Sequence, residues 1–191
     1  SGKSTQIELL KEFLTGQGRK VILTREPGGT RISEKIRDLL LDTENEEMKE
    51  ETEIPLYAAS RAQHVREVIM PGLSDGNIII CDRYYDSSFA YQGYGRVMNL
   101  DFIKAANKFA IESARPDLTL FLDISPDKSK KRISDRANDR LENEDRSFHK
   151  RVYDGFNKLI EDEPERIKRI NADRDIKAIA EDIKKAVQKK L

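Results

Sequence analysis

Tryptophan is absent from this chain, cysteine occurs once, as Cys81, and histidine twice, as His64 and His149. A single cysteine excludes an internal disulfide and any cysteine-based metal cluster. Two histidines offer little material for acid–base catalysis near neutral pH, and both read as structural. Net charge is missing too. Lys plus Arg equals Asp plus Glu at 35 each, so no overall field draws the chain to nucleic acid or a membrane, and neither is an expected partner. No apolar run approaches the length of a membrane span and no signal-peptide pattern is visible, which makes the cytoplasm the expected location. What is present is 191 residues, 37% of them charged. That suits one domain, residues 1–191, with a substantial core and an ion-paired surface.

The most informative stretch comes first: Ser1-Gly2-Lys3-Ser4-Thr5, followed at once by a helical pattern. Gly-Lys-Ser is the second half of a phosphate-binding loop, G-x-x-x-x-G-K-[ST]. Gly2 lets the backbone approach phosphate with no Cβ in the way. Amide N–H groups of the loop and the helix start form a positive concavity for anions. In such a loop Lys3 reaches the β- and γ-phosphates and the Ser4 hydroxyl sits on Mg²⁺. The first glycine of the motif and the strand that feeds it do not precede Ser1, so the chain is expected to be an N-terminally incomplete copy of a longer protein.

Along the chain, apolar spacing alternates between two periods. Ile7, Leu10, Phe13 and Leu14 share a helical face that Gly16 and Gly18 end. Val21 to Thr24 reads as a buried strand delivering Arg25-Glu26-Pro27-Gly28-Gly29. Ile32, Ile36, Leu39 and Leu40 mark a helix, and Glu44 to Glu53 an acidic, solvated loop or helix end. Residues 55–70 read as a helix with Tyr57 and Arg61 one turn apart. Ile78 to Ile80 form a strand delivering Asp82-Arg83-Tyr84, residues 100–113 a helix, and 118–122 a strand ending at Asp123. Ser125-Pro126 opens a basic helix through Arg132, and Arg136 to Asp145 reads as a loop. Phe148 to Ile160 is helical, 167–170 a weak strand, and Ile176 to Val187 a closing helix. Strands alternating with helices imply an α/β domain: a parallel sheet of four strands flanked by helices in three layers, with the strand ahead of the phosphate loop missing. In open α/β sheets the carboxyl ends of strands carry the ligand, and Arg25, Asp82 and Arg83 all fall there.

Together these motifs resemble thymidylate kinases. The resemblance rests on Gly2-Lys3-Ser4-Thr5, Thr24-Arg25-Glu26-Pro27-Gly28-Gly29, Ala58-Ala59-Ser60-Arg61, Asp82-Arg83-Tyr84, Ala90-Tyr91-Gln92-Gly93, Arg115-Pro116-Asp117-Leu118-Thr119 and Asn138-Asp139-Arg140-Leu141-Glu142. It implies the nucleoside monophosphate kinase fold with a short lid near residues 134–146, ATP and Mg²⁺ as cofactors, and dTMP as the acceptor converted to dTDP. It also implies a homodimer. Lys3, Arg25, Asp82, Arg83, Arg136 and Arg140 become the catalytic candidates, with Ser4 and Asp82 toward the metal and Glu26 toward its water shell. Ser1, Gly2, Lys3, Ser4, Thr5, Arg132, Asn171 and Asp173 fall to ATP, Arg132 packing on adenine. The Arg-rich lid favours the bacterial-type arrangement, in which the lid supplies the catalytic arginine.

The acceptor side makes chemical sense as a pyrimidine reader. Tyr57 offers a face for stacking. Arg61 carries only donors, which suit O4 of thymine and oppose the amino group of cytosine. Gln92 and Ser88 suit the ring N3–H and a carbonyl. The resemblance implies that Tyr91 lies under the sugar and that Arg25 and Arg83 touch the acceptor phosphate, which a guanidinium can grip bidentately. Two other readings share the phosphate loop: a kinase for another nucleoside monophosphate, and a nucleotide-binding module without acceptor chemistry. Tyr57, Arg61 and Gln92 oppose the first. The second usually carries a guanine-reading N-K-x-D or a water-positioning residue, and neither is found.

Overall fold

The structure is a computed structural model and describes residues 2–125, 128 and 139–191. Ser1, Arg132, Arg136 and residues 134–138 of the expected lid lie outside the described residues. Helix α1 (Lys3–Gly16) begins directly at the phosphate-loop residues and is closed by Gly18 in the left-handed region (φ 78°). Strand β1 (Val21–Arg25) leads to α2 (Arg31–Leu41), whose first turn is capped by the Thr30 hydroxyl accepting from the Ser33 amide at 3.1 Å.

Helix α3 (Glu50–His64) starts five residues earlier than Pro55, where the sequence placed it. Glu50, Glu51 and Glu53 occupy its first turn, where the helix dipole favours negative charge. The acidic run is therefore partly helix, and not all of it is solvated. The helix continues through a wider turn (Val65–Ile69) into α4 (Met70–Ser74) and strand β2 (Ile78–Asp82). After α5 (Tyr85–Ser88) and a second wide helical turn (Phe89–Gly95), the single helix expected over 100–113 is two, α6 (Leu100–Ala106) and α7 (Lys108–Ser113). Asn107 makes the break: its buried side chain donates back to the Ile103 carbonyl at 2.8 Å, competing with the helix ladder. Strand β3 (Thr119–Asp123), helix α8 (Arg146–Asp162), strand β4 (Ile167–Asn171) and helix α9 (Ile176–Gln188) complete the order.

The four strands are parallel, as expected, but they hydrogen-bond as two pairs, β1 with β2 and β3 with β4, and not as one sheet. Most strand residues are half-buried, and side chains of both pairs share one cluster. Leu10 and Leu14 of α1 pack in one cluster with Val21, Ile78 and Ile80 of the first pair and Leu120, Leu122 and Ile170 of the second, closed by Ile179 and Ile183 of α9. A second cluster joins Leu40, Tyr57, Ala90, Leu141, Phe148 and Val152. Helix α8 crosses the Phe89–Gly95 turn at Gly155, where a Cβ would lie 2.7 Å from the Tyr94 ring. No helix among the described residues is long and apolar enough to cross a membrane.

A charged brace also ties the pairs together. Asp86, just after β2, takes a bidentate pair from Arg166, just before β4, at 2.7 and 2.8 Å, and accepts from the Thr119 hydroxyl that begins β3 at 2.9 Å. Glu163 completes it with 2.7 Å to Arg166 Nε. The hydrogen bond from Arg166, helped by one from Arg115, pulls the Glu163 carboxyl from its ordinary 4.5 down to about 2. A carboxyl depressed on folding stabilises the fold above its unfolded pKa and loses that contribution as pH falls through its folded one. The urea midpoint of the wild type is therefore expected to fall faster than that of Glu163→Gln as pH drops from about 4.5 to about 2. Parallel curves across that window would show that the brace contributes nothing.

Candidate functional site

Gly2 sits at the entry of α1 with φ 78°, a left-handed conformation that glycine adopts without strain. No side chain among the described residues caps this helix start, and its first turn holds no acidic residue. Its leading amides are thus presented to an anion, with Lys3 in the first turn and Ser4 and Thr5 exposed beside it. At its side, the Gln6 amide donates to the Ile176 carbonyl at 2.9 Å. This fastens the start of α1 to the start of α9, next to the Asn171–Asp173 loop. There the Asn171 side chain accepts from the Asp173 amide at 3.0 Å, and Asp173 pairs with Lys128.

The strand ends converge as the sequence predicted. Arg25 and Asp82 are register partners at the carboxyl ends of β1 and β2. The Asp82 atom Oδ1 is buried and has no hydrogen-bond partner among the described residues. An orphaned carboxylate oxygen at that place suits a hydrated divalent cation. Arg83 follows with φ 70°, a conformation that costs a non-glycine residue energy and clusters at functional sites. Its guanidinium lies 5.0 Å from the centre of the Tyr91 ring. Tyr91, and then Asp82, hold its pKa still higher than usual, so it is cationic at every working pH. Arg25 is paired with Glu34 at 2.9 Å, an exposed contact.

Arg61 is held differently. It is 2% exposed, and its Nε donates to Glu26 Oε2 at 2.6 Å. Its Nη1 donates to the Ser88 hydroxyl at 3.0 Å and to Asn107 Oδ1. The other Glu26 oxygen meets His64 Nδ1 at 2.8 Å, and His64 Nε2 meets the Thr24 hydroxyl at 2.6 Å. His64 is thus structural, as expected. Glu26 is not oriented toward a metal's water shell: both its oxygens are committed to Arg61 and His64, and it is 3% exposed. Ser88 contacts Arg61. Tyr57 lies in the second core cluster at 8% exposure, and burial with the nearby Glu53 charge keeps its hydroxyl protonated.

Arg140, expected to serve the transferred phosphoryl from the lid, is placed elsewhere. It is buried, donating from Nε to the Leu40 carbonyl at 3.1 Å and from Nη1 to Glu53 at 3.0 Å. The same Glu53 accepts from Gln92 at 3.1 Å and from Arg96 at 2.8 Å. Sequence reasoning missed Glu53 because it closes an acidic run. The signal was there: Glu53, Tyr57 and Arg61 recur at four-residue spacing and share one helical face. Asn107 gave no such signal.

The chain matches known proteins over nearly its whole length. The Thymidylate kinase family model matches residues 1–183. The chain belongs to the thymidylate kinase family. It is 47% identical over 184 residues to a thymidylate kinase of Exiguobacterium sp. AT1b, covering 96% of this chain and 87% of that one. A Clostridium novyi thymidylate kinase is 46% identical over 187 residues, covering 96% and 91%. In three dimensions the crystal structure of thymidylate kinase from Ehrlichia chaffeensis superposes with a TM-score of 0.78 at 33% identity, covering 98% of this chain and 92% of that one. The fold is the phosphate-loop nucleoside monophosphate kinase fold implied by the motifs.

In this thymidylate kinase family member the Glu26–Arg61 pair is dry on both sides, so removing one partner strands the other. Glu26→Ala is expected to lower the unfolding free energy by about 3–5 kcal/mol, read by chemical denaturation. A loss below about 1 kcal/mol, the range of exposed pairs, would mean that water reaches Arg61.

Proposed function

We infer that the chain transfers the γ-phosphoryl group of ATP to dTMP, giving dTDP and ADP. The observation that carries the reading is the strained Arg83, held in the left-handed region directly after Asp82 and beside Tyr91. A guanidinium fixed at the carboxyl end of β2 suits a phosphate carried between the two nucleotides.

An oxygen of the dTMP phosphate attacks the γ-phosphorus while the bond to the β–γ bridging oxygen breaks, and ADP leaves with that oxygen's electron pair. The attacking oxygen is already anionic, so no general base is needed, in keeping with two histidines of which one is locked in an ion-pair network. Lys3 and the first amides of α1 offset charge on the β- and γ-phosphates. Arg25 and Arg83 hold the acceptor phosphate in line. Ser4 and Asp82 would hold Mg²⁺, which supplies charge neutralisation between the phosphates when bound. Tyr57 stacks on the pyrimidine and Arg61 donates to O4, its contacts to Glu26, Ser88 and Asn107 using Nε and Nη1 and leaving Nη2. Gln92 meets N3, and Tyr91 lies under the sugar. Asn171 and Asp173 border adenine, Arg132 packs on it, and Arg136 closes on the phosphates from the lid. The reading places the protein with its nucleotide substrates in the cytoplasm. Leu100, Phe102 and Phe109, each about two-fifths exposed on α6 and α7, support a homodimer.

ADP release measured with dTMP, dUMP, UMP, CMP, AMP and no acceptor tests the reaction. Turnover is expected with dTMP well above every other acceptor, and equal ATP loss without acceptor would sink it. Arg83→Ala is expected to lower kcat/KM for dTMP by about 10³-fold or more, the scale of transition-state arginines in phosphoryl transfer, with the unfolding midpoint unchanged.

A further inference from the structure

Glu53 is the most completely buried carboxylate among the described residues, at 0% exposure, and the phosphoryl-transfer chemistry above makes no use of it. Its Oε1 is gripped by Arg96 Nη2 at 2.8 Å and Arg140 Nη1 at 3.0 Å, and its Oε2 accepts from Gln92 Nε2 at 3.1 Å. Arg96 is balanced in turn by Glu144 at 2.6 Å. Two carboxylates and two guanidiniums leave the cluster neutral, so its inner carboxylate, Glu53, is buried without excess charge while Glu144 reaches solvent. Held from one oxygen by two cations, the Glu53 carboxylate cannot turn.

We propose that Glu53 is a positioning residue that fixes the orientation of the Gln92 side-chain amide and thereby sets selectivity for pyrimidines carrying N3–H. A glutamine amide has two seatings, related by half a turn about its last torsion, which exchange the NH2 donor and the carbonyl acceptor. An ionised carboxylate only accepts. The seating that turns the Gln92 carbonyl toward Glu53 would set oxygen against oxygen in a water-free place, so only the other is allowed. The amide oxygen is therefore the atom turned away from Glu53. It is an acceptor for the N3–H of thymine or uracil, and it opposes the bare, accepting N3 of cytosine. This role for Glu53 rests on the reading of Gln92 as a residue that meets the base.

Glu53→Gln tests it, because the replacement keeps shape but can face Gln92 with either an acceptor or a donor and so admits both seatings. Equilibrium binding of dTMP, dCMP and ATP to the full chain by calorimetry is the readout, since a merely structural loss would weaken all three alike. The ratio of the dCMP to the dTMP dissociation constant is expected to fall about tenfold, the change one lost discriminating hydrogen bond of about 1.4 kcal/mol produces, with ATP affinity changing less than about twofold. In a Gln92→Leu background the same substitution is expected to leave the ratio unmoved. An unchanged ratio in Glu53→Gln, or a further fall in the Gln92→Leu background, overturns the positioning role. If Gln92→Leu alone leaves the ratio at the wild-type value, it is the assignment of Gln92 to the base that fails. Should Glu53→Gln not fold, Glu53→Asp keeps the charge and withdraws it from Gln92. The ratio is expected to fall in that variant too, and an unchanged ratio there equally overturns the role.

Discussion

A carboxylate taken out of water has to be met by a cation, and meeting it immobilises both groups. The buried face of helix α3 is built on two such events. Glu26 takes Arg61 and His64 with its two oxygens, and Glu53 takes Arg96, Arg140 and Gln92. Neither carboxylate faces solvent. Each gives the neighbouring polar side chains one allowed orientation before any nucleotide arrives, so the ordering of those side chains is not charged against binding.

The fold supplies the places these pairs need. Helix α3 carries Glu53, Tyr57, Arg61 and His64 along one face, at intervals of four, four and three residues. The β1 end brings Glu26 to that face, α5 brings Ser88, and the break between α6 and α7 brings Asn107. Breaking a helix costs ladder hydrogen bonds; here it frees an amide whose oxygen goes to a buried guanidinium. The two strand pairs share no hydrogen-bonded ladder, yet α1, α9 and the Asp86–Arg166 brace lock them into one frame. Arg25 and Asp82 are thereby held in one frame with the start of α1.

How much of this the sequence disclosed depended on range. Alternating periods located the described strands to within a residue or so, and they placed α1, α2, α8 and α9, because burial of one face imposes those periods locally. The strand ends followed, and with them Arg25, Asp82 and Arg83. Long-range pairing was not legible. Four-residue spacing from Tyr57 and Arg61 puts Glu53 on the buried face of α3, whereas Glu50 is half-buried and Glu51 exposed; the partner that meets its charge, Arg140, lies 87 residues away. The same distance problem assigned Arg140 to the lid and Glu26 to a metal's water. Asn107 looked like one more residue in an amphipathic helix because its partner, Arg61, lies 46 positions earlier.

The neutrality of the whole chain and the gathering of positive charge at the site are reconciled by sorting the arginines according to what holds them. Arg61, Arg96 and Arg140 have buried carboxylate partners, and such pairs do not exchange for a ligand without stranding a charge. They shape the site and keep their positions. Arg83 is steadied by an aromatic face, which orients a guanidinium without neutralising it. Arg25 rests on Glu34 in solvent, where an ion pair contributes about 0–1 kcal/mol, with its side chain 56% exposed. A phosphate dianion offering a bidentate contact can displace that carboxylate at little cost. Of these five arginines, only Arg25 and Arg83, at the strand ends, lack a buried carboxylate partner, while the three deeper ones are occupied with holding the walls.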